Sequence, residues 1–416
     1  MSLPDGLLLG WLGDDFTGSA AVMEVLTFAG LPSALFLQPP APETDLTGIR
    51  AIGFATTART WAPDRMRAEL PNAFAALRGF GIPLLHYKVC STLDSAPHVG
   101  SIGCVAEIAG TRAIPVLIAA PAMGRYQAFG SLFAEAFGKV HRLDRHPVMS
   151  RHPVTPMDEA DVALHLSRQT HLPTGCITLA DAPVLRDGLV TLDAVDAAGM
   201  ARCGRLIWDS RSDAPFVIGS QGVEYALVEH WCAQGWLGDP PSFPSLGPAR
   251  VAVVSGSVSA VTAAQIDWAE RNGFACIPLD PARPDETEAV AAAVRALDQG
   301  RDPLIHSARG PDDPAIRPMD AAANEAVGTA LGRILDRVLR QTGVRRAIIS
   351  GGDTSGHAAR ALGVHALRVL APTIPGAAIC AVQGGTHDGL QLALKGGQMG
   401  SPDYFGWVRD GGGARP

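Results

Sequence analysis

Short apolar runs alternate with longer amphipathic stretches along both halves of the 416-residue chain. In the first half, the strand-like LLLGWLG precedes the helical pattern SAAVMEVLTFAG, AIGFAT precedes APDRMRAELPNAFAALRGFG, and LLHYKV and IPVLIAAPA are further predicted strands. In the second half, VAVVSGS precedes AVTAAQIDWAERNG, DPLIHSA follows a helix-like stretch, and RRAIISGG precedes SGHAARALG. Because strands that alternate with helices are typical of βαβ units, the pattern predicts an α/β fold with mostly parallel sheets.

The segment GDPPSFPSLGP, residues Gly238–Pro248, interrupts this alternation. Its four prolines and two glycines cannot continue a helix or a central strand. We therefore expect two α/β domains, one over residues 1–240 and one over residues 249–416, with an active-site cleft between them. Ligands of parallel sheets bind beyond the carboxyl ends of the strands, so the loops after the strands are where functional residues are expected.

Composition excludes several classes of function. Hydrophobic residues make up 47% of the chain and charged residues 18%, with a net charge of -7. No basic stripe interleaved with aromatic residues occurs, so we expect no nucleic-acid partner. The longest apolar run, Ala113–Met123, is too short to span a bilayer, and we expect no membrane association. The seven scattered cysteines contain no CxxC pair, which argues against a disulfide framework and against a zinc site. We therefore expect a reducing compartment, the cytoplasm.

A glycine-rich loop follows the predicted strand RRAIIS. Glycines let a backbone approach a ligand closely, and free N–H groups at a helix start suit phosphate oxygens. The loop is neither a Walker A motif nor GxGxxG, and a turn capped by Asp353 or Thr354 is the alternative. The candidate phosphate-binding residues of this loop are Gly351, Gly352, Asp353, Thr354, Ser355 and Gly356.

Two further loops of the second half have similar chemistry. Ser257 and Ser259 follow the strand VAVVS in a small hydroxyl-rich turn, for which a helix capped by serine is the alternative. Lys395 ends an apolar stretch before Gly396–Gly397 and could direct a cation at a phosphate, or could be a solvated lysine before a turn. The three loops together favour a nucleotide-phosphate site.

The first half offers groups that suit an acidic polyol. Asp14 and Asp15 end the first strand, where a turn with a helix N-cap is the alternative to a catalytic carboxylate. The adjacent order does not match the Asp-x-Asp of haloacid-dehalogenase phosphatases. An arginine and a lysine can hold a carboxylate, and Asp, Ser and Thr can bind hydroxyls, although separate surface ion pairs would use the same residues. The candidate substrate-binding residues are Arg59, Lys88, Ser91, Thr92, Asp94 and Arg125.

The histidine-rich segment HRLDRHPVMSRHPVTPM raises the question of a metal site. The spacing of His141, His146 and His152 fits no common ligand pattern, so we expect no protein-held metal there. One of these histidines could instead contact a substrate carboxylate.

Four motifs occur in an order that resembles the four-carbon acid sugar kinase family. They are GDDFTGS, YKVCSTLDSAP with GSIG, VSGSVSAVTAAQ, and SGGDTSG with LALKGGQMG, over about residues 7 to 408. That family joins a sugar-binding N-terminal domain to a nucleotide-binding C-terminal domain. The cysteine before STLD and the segment SRHPVTPM resemble the 3-oxo-tetronate kinase branch. GRYQAFGSLF and DSRSDAPFVIGSQG depart from it, which favours a related 3-oxo acid sugar as substrate, with a branched one among the alternatives.

The resemblance implies ATP-dependent phosphorylation of a terminal hydroxyl, with Mg²⁺ bridging the phosphates and closure of the two domains around the substrates. Asp15 would accept the hydroxyl proton, while Asp14 would cap the helix or face the metal. Arg59 and Lys88 would hold the sugar carboxylate. The alternatives are a nucleotide-cofactor oxidoreductase, which lacks its GxGxxG here, and a non-catalytic acid-sugar or nucleotide sensor. A homodimer is the default assembly.

Overall fold

The computed structural model describes residues 2–41, 43–314, 316 and 321–415. Up to residue 142 its elements are β1 (Leu9–Gly13), α1 (Phe16–Phe28), β2 (Ser33–Phe36), β3 (Ala51–Ala55), α2 (Pro63–Arg78), β4 (Leu85–Lys88), α3 (Ile102–Ala109), β5 (Ala113–Leu117), β6 (Arg125–Ala128), β7 (Ser131–Ala136) and β8 (Lys139–Arg142). From there to residue 233 follow α4 (Val162–Ser167), β9 (Thr174–Ile177), β10 (Gly188–Leu192), α5 (Ala197–Asp209), β11 (Phe216–Gly219) and α6 (Gly222–Ala233).

The remaining elements begin after the proline-rich segment. They are β12 (Ala252–Ser255), α7 (Ala260–Arg271), β13 (Phe274–Pro278), α8 (Glu286–Asp298), β14 (Asp302–His306), α9 (Ala321–Thr342), β15 (Arg346–Ser350), α10 (Gly352–Ala361), β16 (Ala366–Ala371), β17 (Ile379–Gln383), β18 (Gln391–Lys395) and α11 (Tyr404–Arg409). Single 3₁₀ turns occur at Ala58–Thr60, Pro121–Met123, Leu143–Arg145 and Met149–Arg151. The strands predicted from the apolar runs are confirmed as β1, β3, β4, β5, β12, β14 and β15.

The chain forms two compact units, of which the first comprises Met1–Ser33 and Pro39–Pro241 and the second Ala34–Gln38 and Ser242–Pro416. The division after Pro241 lies within the segment GDPPSFPSLGP. The short piece from the first half joins the second unit because β2 pairs antiparallel with β16 there. Within the described residues, no helix has the length and apolar character needed to cross a membrane.

The N-terminal unit is built on a parallel sheet in the order β3-β1-β4-β11-β5-β10-β9. Trp11 of β1 is fully buried and lies across Gly53 of β3, where a Cβ atom would come within 2.0 Å of the indole ring. Phe74 of α2 packs edge-on against Phe216, with ring centroids 5.2 Å apart. This apolar packing fixes the central strands, and so the loops that leave their carboxyl ends.

The same unit carries a small antiparallel sheet, β6-β7-β8, that the sequence patterns did not predict. Its two hairpin turns each place a phenylalanine at positive φ before a glycine, Phe129 at 49° and Phe137 at 51°. Turns of this kind normally use Asn-Gly or Asp-Gly, because those residues tolerate positive φ. The usual sequence signal of a hairpin is therefore absent here.

The C-terminal unit has a mixed sheet in the order β13-β14-β12-β15-β18-β17-β16-β2. The first five strands are parallel, and β17, β16 and β2 add antiparallel pairs. Helices α7 and α11 cover a hydrophobic core on one face that includes Val253, Ile348 and Tyr404. The carboxyl ends of β12, β15 and β18 are neighbours, since Ser350 is in register with both Ser255 and Lys395.

Candidate functional site

The first group of candidate residues lies at the carboxyl ends of β1, β3 and β4. Gly13, the last residue of β1, is in register with Ala55 of β3 and Lys88 of β4. The backbone N–H of Asp14 donates to the carbonyl of Lys88 at 3.0 Å. The backbone N–H of Arg59 donates to the carbonyl of Asp14 at 3.1 Å. These contacts bring the first aspartates, Arg59 and Lys88 to one edge of the sheet, as parallel strand ends require.

Asp14 is a buried carboxylate held by a guanidinium. Arg59 donates from Nη2 to Oδ1 at 2.8 Å and from Nε to Oδ2 at 3.2 Å, so both oxygens of Asp14 accept from one arginine. Burial raises the pKa of Asp14, and the charge of Arg59 opposes that rise. Such bidentate pairing fixes the carboxylate in one orientation.

Asp15 has a different environment. It is the N-cap of α1, its Oδ1 accepting from the backbone N–H of Gly18 at 3.1 Å and from Arg59 Nη2 at 2.9 Å. Within the described part of the chain, Oδ2 of Asp15 accepts no hydrogen bond. The cap role that the sequence suggested for Asp14 therefore belongs to Asp15, which also keeps an oxygen free to accept a proton.

Arg59 is an organiser of the aspartate pair in this structure. It contacts both carboxylates, and the charges of Asp14 and Asp15 hold its pKa well above the ordinary value despite the opposing effect of burial. Nε and Nη2 of Arg59 already donate to the aspartates. These two nitrogen atoms are therefore not available to the sugar carboxylate that the sequence analysis assigned to Arg59.

Lys88, unlike Arg59, donates no hydrogen bond to a carboxylate of the described residues. Its side chain is buried, and Nζ donates to the carbonyl of Val89 at 2.7 Å. A Cβ atom at Gly18 would lie 2.7 Å from this ammonium, so Nζ sits beside the first turn of α1. The helix start is itself electropositive. A bound anion would thus gain from Lys88 and from α1 together.

The middle motif supplies two smaller groups of contacts. Cys90 Sγ lies 3.1 Å from the hydroxyl of Thr92, while Ser91 is half-buried beside them. Asp94 accepts from the hydroxyl of Thr155 and lies 3.5 Å from His152 Nδ1. The structure therefore joins the STLD motif to the SRHPVTPM segment, which the sequence had connected only through the family resemblance.

Arg125 begins β6, and its Nη1 donates to the carbonyls of Met123 and Gly124 at 3.0 and 3.2 Å. Its Nε is buried, with no acceptor among the described residues. Burial lowers the pKa of Arg125, and a charge on Cys90 raises the pKa of both Arg125 and Arg59. Both guanidinium groups therefore lie within electrostatic range of the Cys90 thiol.

The second group of candidate residues lies at the carboxyl ends of β12, β15 and β18. Ser259 is the N-cap of α7, its hydroxyl accepting from the backbone N–H of Thr262 at 3.1 Å. The same hydroxyl donates to the carbonyl of Gly397 at 2.5 Å, and a Cβ atom at Gly397 would lie 2.6 Å from Ser257 Oγ. The β12 and β18 loops are therefore packed directly against each other.

The glycine-rich loop is mostly the first turn of a helix. Gly351 caps α10 with φ 125° and ψ 132°, and none of the described side chains caps this helix start with a hydrogen bond. Gly352, Thr354, Ser355 and Gly356 fall inside α10, so the loop is shorter than expected. The alternative of a cap by Asp353 or Thr354 is wrong, because the cap residue is Gly351. The backbone of Asp353 is in the helix, but its side chain lies outside the described residues. Uncapped N–H groups at such a start are suited to bind an anion.

Thr354 connects the glycine-rich helix start to the β12 loop. A Cβ atom at Gly256 would lie 2.3 Å from the hydroxyl oxygen of Thr354, and a Cβ atom at Gly351 would lie 2.7 Å from it. Ser355 is fully buried, its hydroxyl donating to the carbonyl of Gly351 at 2.7 Å. Gly256 is thus a residue that sequence reasoning missed, and glycine is required there by the close approach.

Lys395 does not extend into the loops as the sequence suggested. Its side chain is fully buried, and Nζ donates to the carbonyl of Gly396 at 2.9 Å and to the hydroxyl of Thr262 at 3.1 Å. Burial lowers its pKa to about 7. Thr262, three residues after Ser259, was also missed, although the Ser-x-x-Thr spacing of a helix cap could have identified it.

The histidine-rich segment is occupied by local contacts. His146 Nδ1 accepts from the backbone N–H groups of Val148 and Met149 at 3.2 and 3.1 Å. His152 Nδ1 accepts from the backbone N–H of Thr155 at 3.1 Å. In the described part of the chain, no group of three His, Cys, Asp or Glu side chains is placed to hold a metal ion.

Two family models cover most of the chain. A sugar-binding N-terminal domain matches residues 9–227, and a nucleotide-binding C-terminal domain matches residues 252–405. Asp14, Asp15, Arg59 and Lys88 fall within the first match. The three glycine- and serine-rich loops fall within the second.

Relatives match over nearly their full length. The chain is 43% identical to a 3-oxo-isoapionate kinase of Paraburkholderia graminis, covering 98% of this chain and 95% of the relative. It is 32% identical to a 3-oxo-tetronate kinase of Pseudomonas fluorescens, covering 96% and 95%. A solved structure from Salmonella typhimurium LT2 matches its fold with a TM-score of 0.77 at 24% identity, over 97% of this chain and 98% of that one.

Proposed function

Because the chain belongs to the four-carbon acid sugar kinase family, we propose that it transfers the terminal phosphoryl group of ATP to a hydroxyl of a small 3-oxo acid sugar. The names of the relatives support a kinase over an oxidoreductase or a non-catalytic sensor. The substrate class follows the same names, and the 43% identity to the 3-oxo-isoapionate kinase favours that acid or a close analogue over a 3-oxo-tetronate.

One structural observation supports nucleotide binding above the others. The start of α10 is capped by no described side chain and lies beside the β12 loop, which packs against the β18 loop. We propose that its N–H groups bind phosphate oxygens together with Ser257 and the Gly396–Gly397 backbone. Phosphoryl transfer depends chiefly on such positioning and charge stabilisation.

For the acid sugar, we propose that the N-terminal unit supplies the binding groups. Lys88 and the electropositive start of α1 would hold the carboxylate, and Ser91, Thr92, Asp94 and Arg125 would contact hydroxyl or oxo groups. Arg59 would keep Asp14 and Asp15 in place, which its three hydrogen bonds to them support.

In the proposed reaction the sugar hydroxyl oxygen forms a bond to the γ-phosphorus, and the bond from that phosphorus to the β,γ-bridging oxygen breaks to release ADP. The hydroxyl proton moves to Oδ2 of Asp15. Mg²⁺ would neutralise charge on the phosphates. It would be held mainly by phosphate oxygens and water, as Mg²⁺ prefers.

We expect ADP release only when ATP and a 3-oxo acid sugar are both present. A coupled ADP assay over 3-oxo-isoapionate, 3-oxo-tetronates and the corresponding acids without the oxo group would measure this, with mass spectrometry of the phosphorylated product. The acids without the oxo group are the matched control. ATP hydrolysis that is independent of the sugar, or calorimetry without detectable ATP binding, would contradict the proposal.

We further propose a cytoplasmic location and a homodimer. The seven cysteines are free in the structure, which is consistent with a reducing compartment. Light scattering of the purified protein would measure its mass in solution, and a mass of one chain would refute the dimer.

A further inference from the structure

Four polar residues form a row across the C-terminal sheet, one at the carboxyl end of each of four neighbouring parallel strands. They are His306, Ser255, Ser350 and Lys395. The residues two positions earlier on the same strands belong to the hydrophobic core under α7 and α11, namely Leu304, Val253, Ile348 and Ala393. Side chains two positions apart on a strand share a face of the sheet. The four polar side chains therefore lie at the end of this core, next to the proposed nucleotide loops.

Lys395 stands out in this row because it is cationic and has no exposed surface. Its hydrogen-bond partners are all neutral: the carbonyls of Gly396 and Gly397, at 2.9 and 3.4 Å, and the hydroxyl of Thr262 at 3.1 Å. Burying an ammonium without a counter-ion costs several kcal/mol, and the lowered pKa reflects that cost. An apolar side chain would fill the position at lower cost, so the amine has another role.

The contacts of the amine belong to a network that ends on one carbonyl. Gly397 O accepts from Lys395 Nζ at 3.4 Å, from Thr262 Oγ1 at 3.0 Å and from Ser259 Oγ at 2.5 Å. Thr262 Oγ1 also lies 2.9 Å from Ser257 Oγ. The Gly396–Gly397 segment is therefore tied to the first turn of α7 through its carbonyl groups.

In a planar trans peptide the C=O and the following N–H point in opposite directions. Because the carbonyls of Gly396 and Gly397 point towards the buried network, the N–H groups of Gly397 and Gln398 point away from it. Neither N–H has an acceptor within the described chain, so both are available to a ligand.

We propose that Lys395 is a positioning residue for the nucleotide: it holds the Gly396 and Gly397 carbonyls inward so that the N–H groups of Gly397 and Gln398 face the phosphate oxygens. In this role the amine never touches a phosphate. The inference rests on the proposed function and specifies how the β18 loop serves it.

The test compares Lys395→Met with Thr262→Val, which removes a hydroxyl of the same network. Each variant should raise the KM for ATP by about tenfold, the loss of about one buried hydrogen bond. The KM for the acid sugar and the kcat should change by less than about twofold. The double variant should be little worse than either single one, because both changes loosen the same loop.

Ser350→Ala is the matched control, since Ser350 is in register with Lys395 and its buried hydroxyl has no partner among the described residues. Its KM for ATP should equal that of the wild type. If Lys395→Met raises this KM and Thr262→Val does not, the amine contacts phosphate directly and the inference fails. The inference also fails if neither variant raises the KM for ATP. If Lys395→Met does not fold, the KM for ATP of Thr262→Val alone decides between the two outcomes. A wild-type protein that binds no ATP would instead refute the proposed function.

Discussion

Asp15→Asn is expected to lower kcat by a factor of about 100 to 10,000, the usual contribution of a general base. Asparagine cannot accept the hydroxyl proton at the position of Oδ2. It caps helices as well as aspartate does, and its side-chain oxygen can still accept from the backbone N–H of Gly18, so α1 should form normally. The measurement is steady-state ADP release at saturating ATP and acid sugar, with thermal unfolding of the same preparation.

Asp196→Asn is the matched control for this variant. Asp196 is the N-cap of α5, and its Oδ1 accepts from the backbone N–H of Gly199 at 2.8 Å, in the same geometry as Asp15 with Gly18. It should leave kcat unchanged. Turnover of Asp15→Asn within about tenfold of the wild type would contradict the assignment of the base to Asp15.

The elements that the sequence predicted well are those with a strong apolar period. Runs such as LLLGWLG become central strands because both of their faces are buried, as in β1, where each residue is buried. The hairpins of β6-β7-β8 escaped prediction because their turns carry Phe129 and Phe137 where Asn or Asp is usual.

The site could be predicted as a set of residues but not as a set of contacts. The rule that ligands bind beyond parallel strand ends pointed to loops that the structure brings together in two groups, one in each unit. It could not show that Arg59 faces Asp14 and Asp15, or that Lys395 turns inward, because the direction of a long side chain depends on partners that are distant in sequence. Thr262 lies 133 residues before the lysine that donates to it.

The backbone conformation at Gly351, which suits glycine, predicts the second large effect. Gly351→Ala should lower kcat/KM for ATP by about 100-fold, because a shift of about 1 Å in positioning groups costs that much. Its φ of 125° is a region that other residues rarely adopt, and the new Cβ would lie 2.7 Å from the hydroxyl of Thr354. Rotation of the peptide at the start of α10 would relieve both the unfavourable φ and the close contact of the new Cβ. The same rotation would turn the first N–H groups of the helix away from the phosphates.

Gly343→Ala is the matched control for this substitution. Gly343 also has positive φ, 68°, in the turn before β15, but a Cβ atom there would meet nothing within 4 Å. It should lower the free energy of unfolding by about 1 kcal/mol, the usual penalty of left-handed backbone, and leave the ATP kinetics intact. The KM for the acid sugar should stay unchanged in both variants, because Gly351 belongs to the C-terminal unit. An unaltered KM for ATP in Gly351→Ala would remove the start of α10 from the nucleotide site.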